Sequence, residues 1–308
     1  MKAAILNDYA APVTVTDIAK PALLDDSVMI EVHASSVNPV DNLIRAGYLK
    51  AMLPIRFPYT MGNDVSGVVT EVGKQVSRFA VGDAVFARPN SLQSGTFAEY
   101  VVVKEQDLAA KPGTLSHEQA ASLPLVALTA WQALVSKAKL QAGQKVLIHA
   151  GSGGVGSIAI QIAKHLGATV VATTSTANLA LVKSLGADQV IDYKTQDFAA
   201  LVKDCDVVLD TLGGATRTRS FSVLKPGGCL ISVIAPGDTS GQAEKLGVRS
   251  EVFFMWASGE QLAQIGALVE AGAIKPLVDR TFALDEVQQA LDYSQSGRAR
   301  GKIVIKVK

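Results

Sequence analysis

The sequence predicts an α/β protein of two domains, one β-rich and one built on a doubly wound parallel sheet. Three observations carry that expectation. Residues 150–156 read Ala-Gly-Ser-Gly-Gly-Val-Gly, between a strand pattern and a helix pattern. After them, short β-branched runs alternate with helical ones, the order that gives a parallel sheet covered on both faces. Before them, and again at the last residues, strand patterns punctuated by Gly and Pro dominate.

The elements follow in order. Residues 13–18, 27–35, 66–72, 84–87 and 97–103 have strand character, and Gly82-Asp83 makes a tight turn. Ser116 is an N-cap candidate for a helix that opens at His117. Strands are expected at 146–149, 169–173, 189–191, 207–210 and 230–234. Helices are expected at 155–166, 179–185 and 216–224. The first of these helices is apolar nearly all round, with Ser157, Gln161, Lys164 and His165 as its polar stripe, which suits a buried helix. Two further helices, 259–272 and 284–296, precede a final strand at 303–307. A lone C-terminal strand needs partners, so it is expected to return to the β-rich domain. The parallel-sheet unit is then an insertion: 1–120 with 274–308 form one domain, and 121–273 the other.

The Gly-rich segment has the spacing of the turn in a dinucleotide-binding βαβ unit. Gly151 permits the tight turn, Gly153 lets backbone approach a pyrophosphate, and Gly156 lets helix pack on strand. The backbone of Ser152, Gly153, Gly154 and Val155, with the helix N-terminus, is expected to hold the pyrophosphate. The acidic residue expected about 20 residues on is missing. The second strand ends in Thr174-Ser175-Thr176 instead. A carboxylate there would repel a 2′-phosphate, whereas hydroxyls can donate to one, so Thr174 and Ser175 point to NADPH. They also read as a merely solvated strand end. Asn178 stands where a cation would help, leaving Lys183 and Lys194 as more distant sources of charge. Leu212, Val233 and Ile234 fall near the ends of the fourth and fifth strands, where open α/β sheets bind ligands.

Composition bounds the rest. The chain has 308 residues, 48% hydrophobic and 19% charged, with a formal net charge of +1. That fits a protein with a large core and gives no basic field for nucleic acid or anionic membrane. No stretch is apolar and long enough for a membrane span, and a charge interrupts the N-terminus before any signal-peptide core forms. The expected compartment is the cytoplasm. The two cysteines, Cys205 and Cys229, are not in a Cys-x-x-Cys pair and read as buried thiols. No two histidines have metal-ligand spacing on a helix.

Seven segments together resemble a known family. They are Val37-Asn38-Pro39-Val40-Asp41 with Arg45-Ala46-Gly47, Gly62 to Val69, Gly82-Asp83-Ala84-Val85, Ala98-Glu99-Tyr100, the Gly-rich turn, Leu185 to Asp188 with Val190 to Tyr193, and Gly301-Lys302-Ile303-Val304. In order and spacing the chain resembles a medium-chain dehydrogenase/reductase of the zinc-independent quinone oxidoreductase (zeta-crystallin-like) branch. The resemblance implies a GroES-like catalytic domain made from both chain ends, a Rossmann domain, and an active site between them. It also implies a homodimer paired through the Rossmann edge strand around 251–255.

The resemblance also carries departures and site residues. In the zinc branch a Cys occupies the place of Asn38 and a His that of Asn63. A catalytic zinc wants three protein ligands, so no metal site is expected. Without a Lewis acid the acceptor must be easily reduced, as quinones and α,β-unsaturated carbonyls are. The implied enzyme transfers hydride from NADPH to such acceptors. The protein then supplies positioning and donors to the growing oxyanion. Asn38 is the first candidate donor, or else a turn residue before Pro39. Tyr48 is the second, although the family's Tyr lies one residue out of register and Leu43 replaces another polar aromatic. Thr129 is implied at the nicotinamide amide and Tyr193 at the adenosine-side phosphate. The alternative is a non-catalytic NADPH-binding protein with a structural or redox-sensing role.

Overall fold

Among the described residues before 111 the chain forms eight strands. They are β1 (Lys2–Leu6), β2 (Thr14–Asp17), β3 (Ser27–Val37), β4 (Tyr59–Thr60), β5 (Asp64–Val72), β6 (Ala84–Ala87), β7 (Tyr100–Lys104) and β8 (Leu108–Ala110). The second half of the sheet-forming chain gives β9 (Lys145–Ile148), β10 (Thr169–Thr174), β11 (Gln189–Asp192), β12 (Cys205–Asp210), β13 (Leu224–Ser232) and β14 (Arg249–Val252). The tail adds β15 (Val278–Ala283) and β16 (Lys302–Lys306). The structure is a computed structural model, and it describes residues 1–89, 95–235 and 240–308.

The chain divides into two compact units, Met1–Leu125 with Ala257–Lys308, and Val126–Trp256. The helix Gly259–Glu270, which the sequence assigned to the parallel-sheet domain, packs on β8 and belongs to the first unit. The reason is local: Gly259 sits against the backbone of Leu108, so close that a Cβ would stand 2.3 Å from its carbonyl oxygen.

In the first unit a seven-stranded sheet runs β15-β16-β3-β5-β6-β8, with β7 paired to β3 off that path. β3 is 11 residues long, and its pairing with β5 shifts register at Met29/Ile30 and Val32/Ala34. Such bulges bend a strand. Here the N-terminal half of β3 pairs with β7 and its C-terminal half with β16. The expected return of the C-terminal strand is therefore made at Ile303 opposite Val37. A small antiparallel sheet, β2-β1-β4, closes over a core of Leu6, Met61, Phe97, Leu291 and Ile303.

The second unit is a six-stranded parallel sheet of order β11-β10-β9-β12-β13-β14. Strand order reverses between β9 and β12, and ligands of such sheets bind at that switch point, outside the carboxyl ends. Leu147, Val171, Val208 and Leu230 fill its core. Both cysteines are buried in this unit, Cys205 heading β12 and Cys229 within β13, and burial pushes both thiols up, Cys205 to about 11. β13 ends at Ser232, so Val233 and Ile234 lie just beyond the strand rather than in it.

Candidate active site

At the head of the parallel sheet, β9 runs through His149 into the Gly-rich turn. Gly151 N–H donates to Thr173 O at 2.8 Å and Gly153 N–H to Ala150 O at 2.9 Å. The helix Gly154–His165 follows, its first helical bond being Ser157 N–H to Gly153 O at 2.9 Å. The N–H groups of its first turn have no carbonyl within the helix, and the cap, Gly153, brings no side chain. A Cβ on Gly156 would lie 2.2 Å from Ala150 O, whereas one on Gly153 would meet only that oxygen, at 3.4 Å. The protein itself therefore requires Gly156. The open space over Gly153 is what a pyrophosphate needs, so this cradle fits a dinucleotide.

Beside the turn stands a cluster of small polar side chains. Thr174 is buried, and its hydroxyl donates to Ser152 Oγ at 3.0 Å. It does not face outward as expected for a phosphate donor, because β10 carries it inside the turn. Ser175, half-buried, and Ser152 are both within reach of Asn178 Nδ2, at 3.2 and 3.1 Å, and Asn178 Oδ1 is buried without a partner. Amide O and N are assigned from their surroundings. In the opposite orientation the two serine hydroxyls donate to Oδ1, and the buried NH₂ is then the end without a partner. Lys183 is engaged elsewhere, on Asp188 O at 2.9 Å. Tyr193 follows β11 and is 59% exposed, leaving its hydroxyl accessible.

The loops after β12 and β13 are tied to one buried ion pair that sequence reasoning missed. Asp210 Oδ2 accepts Arg217 Nε at 2.9 Å and Ser232 Oγ at 2.7 Å. Its Oδ1 accepts the N–H groups of Leu212 and Gly213, at 3.0 and 2.8 Å, while Arg217 also donates to Ile234 O at 2.5 Å. This network fixes Leu212, Val233 and Ile234, the expected lining residues, at the sheet's carboxyl edge. Its only sequence signal is an Asp ending an apolar strand with an Arg one helix later. His149 is similarly locked, Nδ1 to Thr173 Oγ1 at 3.0 Å and Nε2 to Ser220 Oγ at 2.9 Å. Burial holds its pKa down at about 4. Thr129 is buried in the helix Pro124–Trp131.

In the first unit, Asn38 caps the short helix Pro39–Arg45 and is fully buried. Its Nδ2 donates to Asp64 Oδ2 at 2.8 Å and Ser36 O at 3.3 Å, while its Oδ1 accepts Lys302 Nζ at 2.5 Å. The opposite amide orientation would set NH₂ against an ammonium and oxygen against a carboxylate. Asn38 is therefore not placed to donate to a substrate, which corrects the sequence expectation: both its amide hydrogens are already engaged. The position instead belongs to a charge network. Lys302 Nζ also donates to Val37 O at 2.9 Å and lies 3.3 Å from Asp64. Asp64 further accepts Ser36 Oγ and Leu125 N–H, both at 2.7 Å. Asp41 accepts Asn38 N–H and Asn63 Nδ2, each at 2.7 Å, and burial pushes its carboxyl up to about 7. Burial pulls the Lys302 ammonium down, against the pull of Asp64 and Asp41. Sequence reasoning missed the role of Lys302, whose one signal is a lone charge heading an apolar strand. Tyr48 is 78% exposed. Among the described residues, no three of His, Cys, Asp and Glu stand close enough to hold a metal ion.

Comparison with known proteins agrees with this architecture. Residues 24–113 match the family described as alcohol dehydrogenase GroES-like domain, and residues 185–305 match zinc-binding dehydrogenase. The chain is 39% identical to NAD(P)H oxidoreductase RTN4IP1, mitochondrial, of Mus musculus, covering 92% of this chain and 82% of that protein. It is 38% identical to 2-methylene-furan-3-one reductase of Solanum lycopersicum, over 99% of this chain and 79% of that one. For NADPH-dependent alkenal/one oxidoreductase, chloroplastic, of Arabidopsis thaliana the identity is 37%, with the same shares. The quinone oxidoreductase structure from Coxiella burnetii superposes with a TM-score of 0.92 at 36% identity, covering 100% of this chain and 99% of that one. The chain belongs to the medium-chain dehydrogenase/reductase superfamily, in its quinone oxidoreductase-like branch, and is an oxidoreductase.

Proposed function

We propose that this enzyme transfers hydride from NADPH to quinones or α,β-unsaturated carbonyls, without a catalytic metal. One observation carries the reading. Where the zinc branch has its ligands, Asn38 and Asp64, together with Val37 O, hold a fixed internal cation, the Lys302 ammonium, on three oxygens, and Asn63 holds Asp41 beside it. Acceptors that delocalise the incoming negative charge suit such a site, because no Lewis acid is needed to polarise them. The names of relatives support the substrate class, since they include an enone reductase, an alkenal/one oxidoreductase and a quinone oxidoreductase.

NADPH supplies the hydride when bound. The chain's residues do the rest. The turn offers the backbone N–H groups of Ser152, Gly154 and Val155 to the pyrophosphate, and Gly153, whose own N–H is held on Ala150 O, leaves the room for it. Ser175, held by Asn178, receives the 2′-phosphate, and Thr174 acts through Ser152 rather than by direct contact. Tyr193 reaches the adenosine side and Thr129 the nicotinamide amide. The Asp210–Arg217 pair holds Leu212, Val233 and Ile234 in place. Tyr48, with an exposed hydroxyl, is the donor to the developing oxyanion. Asn38 serves by holding Lys302 and Asp64. A homodimer through β14 and a cytoplasmic location complete the proposal. Among the described residues no helix is long and apolar enough to cross a membrane.

The test is cofactor oxidation against a panel of quinones, enones and saturated aldehydes, with NADPH or NADH, before and after exhaustive chelation. Turnover of quinones or enones with NADPH, unchanged by chelator, is the expected result. Loss of activity on chelation, or turnover of saturated aldehydes alone, overturns it.

A further inference from the structure

The surface of the first unit carries a half-open cavity of about 500 Å³ lined by Asp279, Arg280, Tyr293, Ser296, Arg298 and Arg300, with Arg280, Ser296, Arg298 and Arg300 exposed. The Arg280 guanidinium lies over the Tyr293 ring, 4.2 Å from its centroid, and Tyr293 OH donates to Asp279 Oδ2 at 2.7 Å. The single carboxylate in the wall is thus already engaged by a hydroxyl. Among the described residues, none of Arg280, Arg298 and Arg300 pairs with a carboxylate; the arginines that do are Arg45, Arg78, Arg217, Arg219 and Arg249. The lining therefore carries a formal charge of +2 with free guanidinium donors around a concave space.

Gathering like charges without a counter-ion is unfavourable. A helix C-terminus accounts for a cation near its last turn, and Val287–Gln295 ends just before Arg298. It does not account for Arg280, which comes from β15. The loop that presents Arg298 and Arg300 ends at Gly301, which has φ +78 and packs against Leu277, a Cβ there standing 2.2 Å from Leu277 O. Several fork-shaped donors around one volume match the tetrahedral oxygens of a phosphoryl group.

We propose that this cavity binds a phosphoryl or pyrophosphoryl group carried by the acceptor substrate, so that the enzyme's acceptors include conjugated carbonyls with a phosphorylated handle. The inference rests on the hydride-transfer reading above. The cofactor's pyrophosphate already has the Gly-rich turn of the second unit. The arginines belong to the first unit, with Arg300 only two residues before Lys302 of the charge network.

The experiment has two arms, both on the full chain loaded with NADPH so that the turn is filled. Pyrophosphate is titrated calorimetrically into the wild type, the Arg298→Gln/Arg300→Gln double variant, and the corresponding double Lys variant. Saturable binding, weakened about tenfold or more per guanidinium lost and partly restored by Lys, is expected. In the second arm, S-crotonyl coenzyme A is compared with S-crotonyl-N-acetylcysteamine, which shares the reacting group and lacks the phosphates. The wild type is expected to favour the phosphorylated thioester in kcat/KM, and the Gln variant to bring that ratio towards one through KM. Pyrophosphate binding that is absent, or equal in the variants, overturns the proposal. A variant that raises the NADPH Kd while the ratio holds gives the cavity to the cofactor and also overturns it. If no conjugated acceptor of any kind turns over, the hydride-transfer reading fails, and the calorimetric arm alone decides whether the cavity binds phosphate.

Discussion

Asn178 is bonded to the dinucleotide turn at Ser152, and His149 precedes the turn in the chain; each makes a different demand. Asn178 bridges Ser152 and Ser175 with its amide, leaving one end of that amide unpartnered. An amide holds the two serine hydroxyls without adding charge; a carboxylate there would repel a 2′-phosphate while tolerating a ribose hydroxyl. Asn178→Asp is expected to weaken NADPH binding at least tenfold and leave NADH binding unchanged or stronger, as fluorescence titration of the two cofactors would measure. Equal losses for both would remove Asn178 from the 2′ site. His149 makes its demand through protons. Ser220 Oγ donates to Thr216 O, so its lone pair receives the Nε2–H, and Nδ1 accepts from Thr173. The ring is neutral and packs edge-on against Phe198, centroids 4.8 Å apart. With a folded pKa of about 4 against 6.5 unfolded, the unfolded state binds the extra proton between those values. Stability is therefore full above pH 6.5 and lost as pH falls towards 4. Between pH 7.5 and pH 5 the wild type should lose about 2 kcal/mol more than His149→Gln in urea unfolding. Parallel pH profiles would show that the imidazole is not buried in this way.

At the scale of elements, the strand–turn–helix of β9 and Gly154–His165 separates what the fold needs from what the ligand needs. The helix axis comes so near the strand end that a Cβ on Gly156 overlaps Ala150 O at 2.2 Å. Gly156→Ala is expected to cost about 3 kcal/mol through forced displacement of packed backbone, lowering the Tm with or without cofactor. Gly153, with φ −82, accepts an alanine without strain, and its Cβ would touch only one protein atom. Gly153→Ala should keep the wild-type Tm yet weaken dinucleotide affinity, because the added methyl takes the space of the pyrophosphate. A Tm loss in both variants, or in neither, would contradict this division. The turn was legible in the sequence because its parts are neighbours in the chain. Lys302 and Asn38 are 264 residues apart, and only the register of β16 on β3, which periodicity does not specify, brings them together. For the same reason the residue type of Asn38 suggests a substrate donor, while the cation that occupies its oxygen is invisible in the sequence. The ion pair of Asp210 with Arg217 spans seven residues, yet it too depended on knowing that the helix Gly214–Ser220 turns back over the end of β12.

At the scale of the whole molecule, the two large sheets treat their edges differently. In the first unit, bulges in β3 let one long strand serve β5, β7 and β16, so its pairing capacity is largely used. The parallel sheet of the second unit ends at β14, paired on one side only, to β13. An unpaired edge strand beside exposed apolar side chains invites association. Just after β14, Phe254 is 55% exposed and Trp256 43% exposed, while Phe253 is buried. Lys137 approaches both Phe253 and Trp256 and pairs with Glu251 at 2.6 Å, bracing this edge from inside the unit. Two copies meeting across β14 about a two-fold axis would continue the backbone ladder and cover both aromatic pairs, an isologous contact that closes on itself. Light scattering after size exclusion should then give twice the chain mass of 32.2 kDa. Phe254→Glu would bury a charge against its symmetry mate, so the variant should run as a folded monomer, with the far-ultraviolet circular dichroism of the parent. Because dimer burial also stabilises the subunits by mass action, the wild-type Tm should rise with protein concentration and that of the variant should not. A wild type that runs as a monomer, or a variant that remains dimeric, would assign these aromatic residues to some other contact.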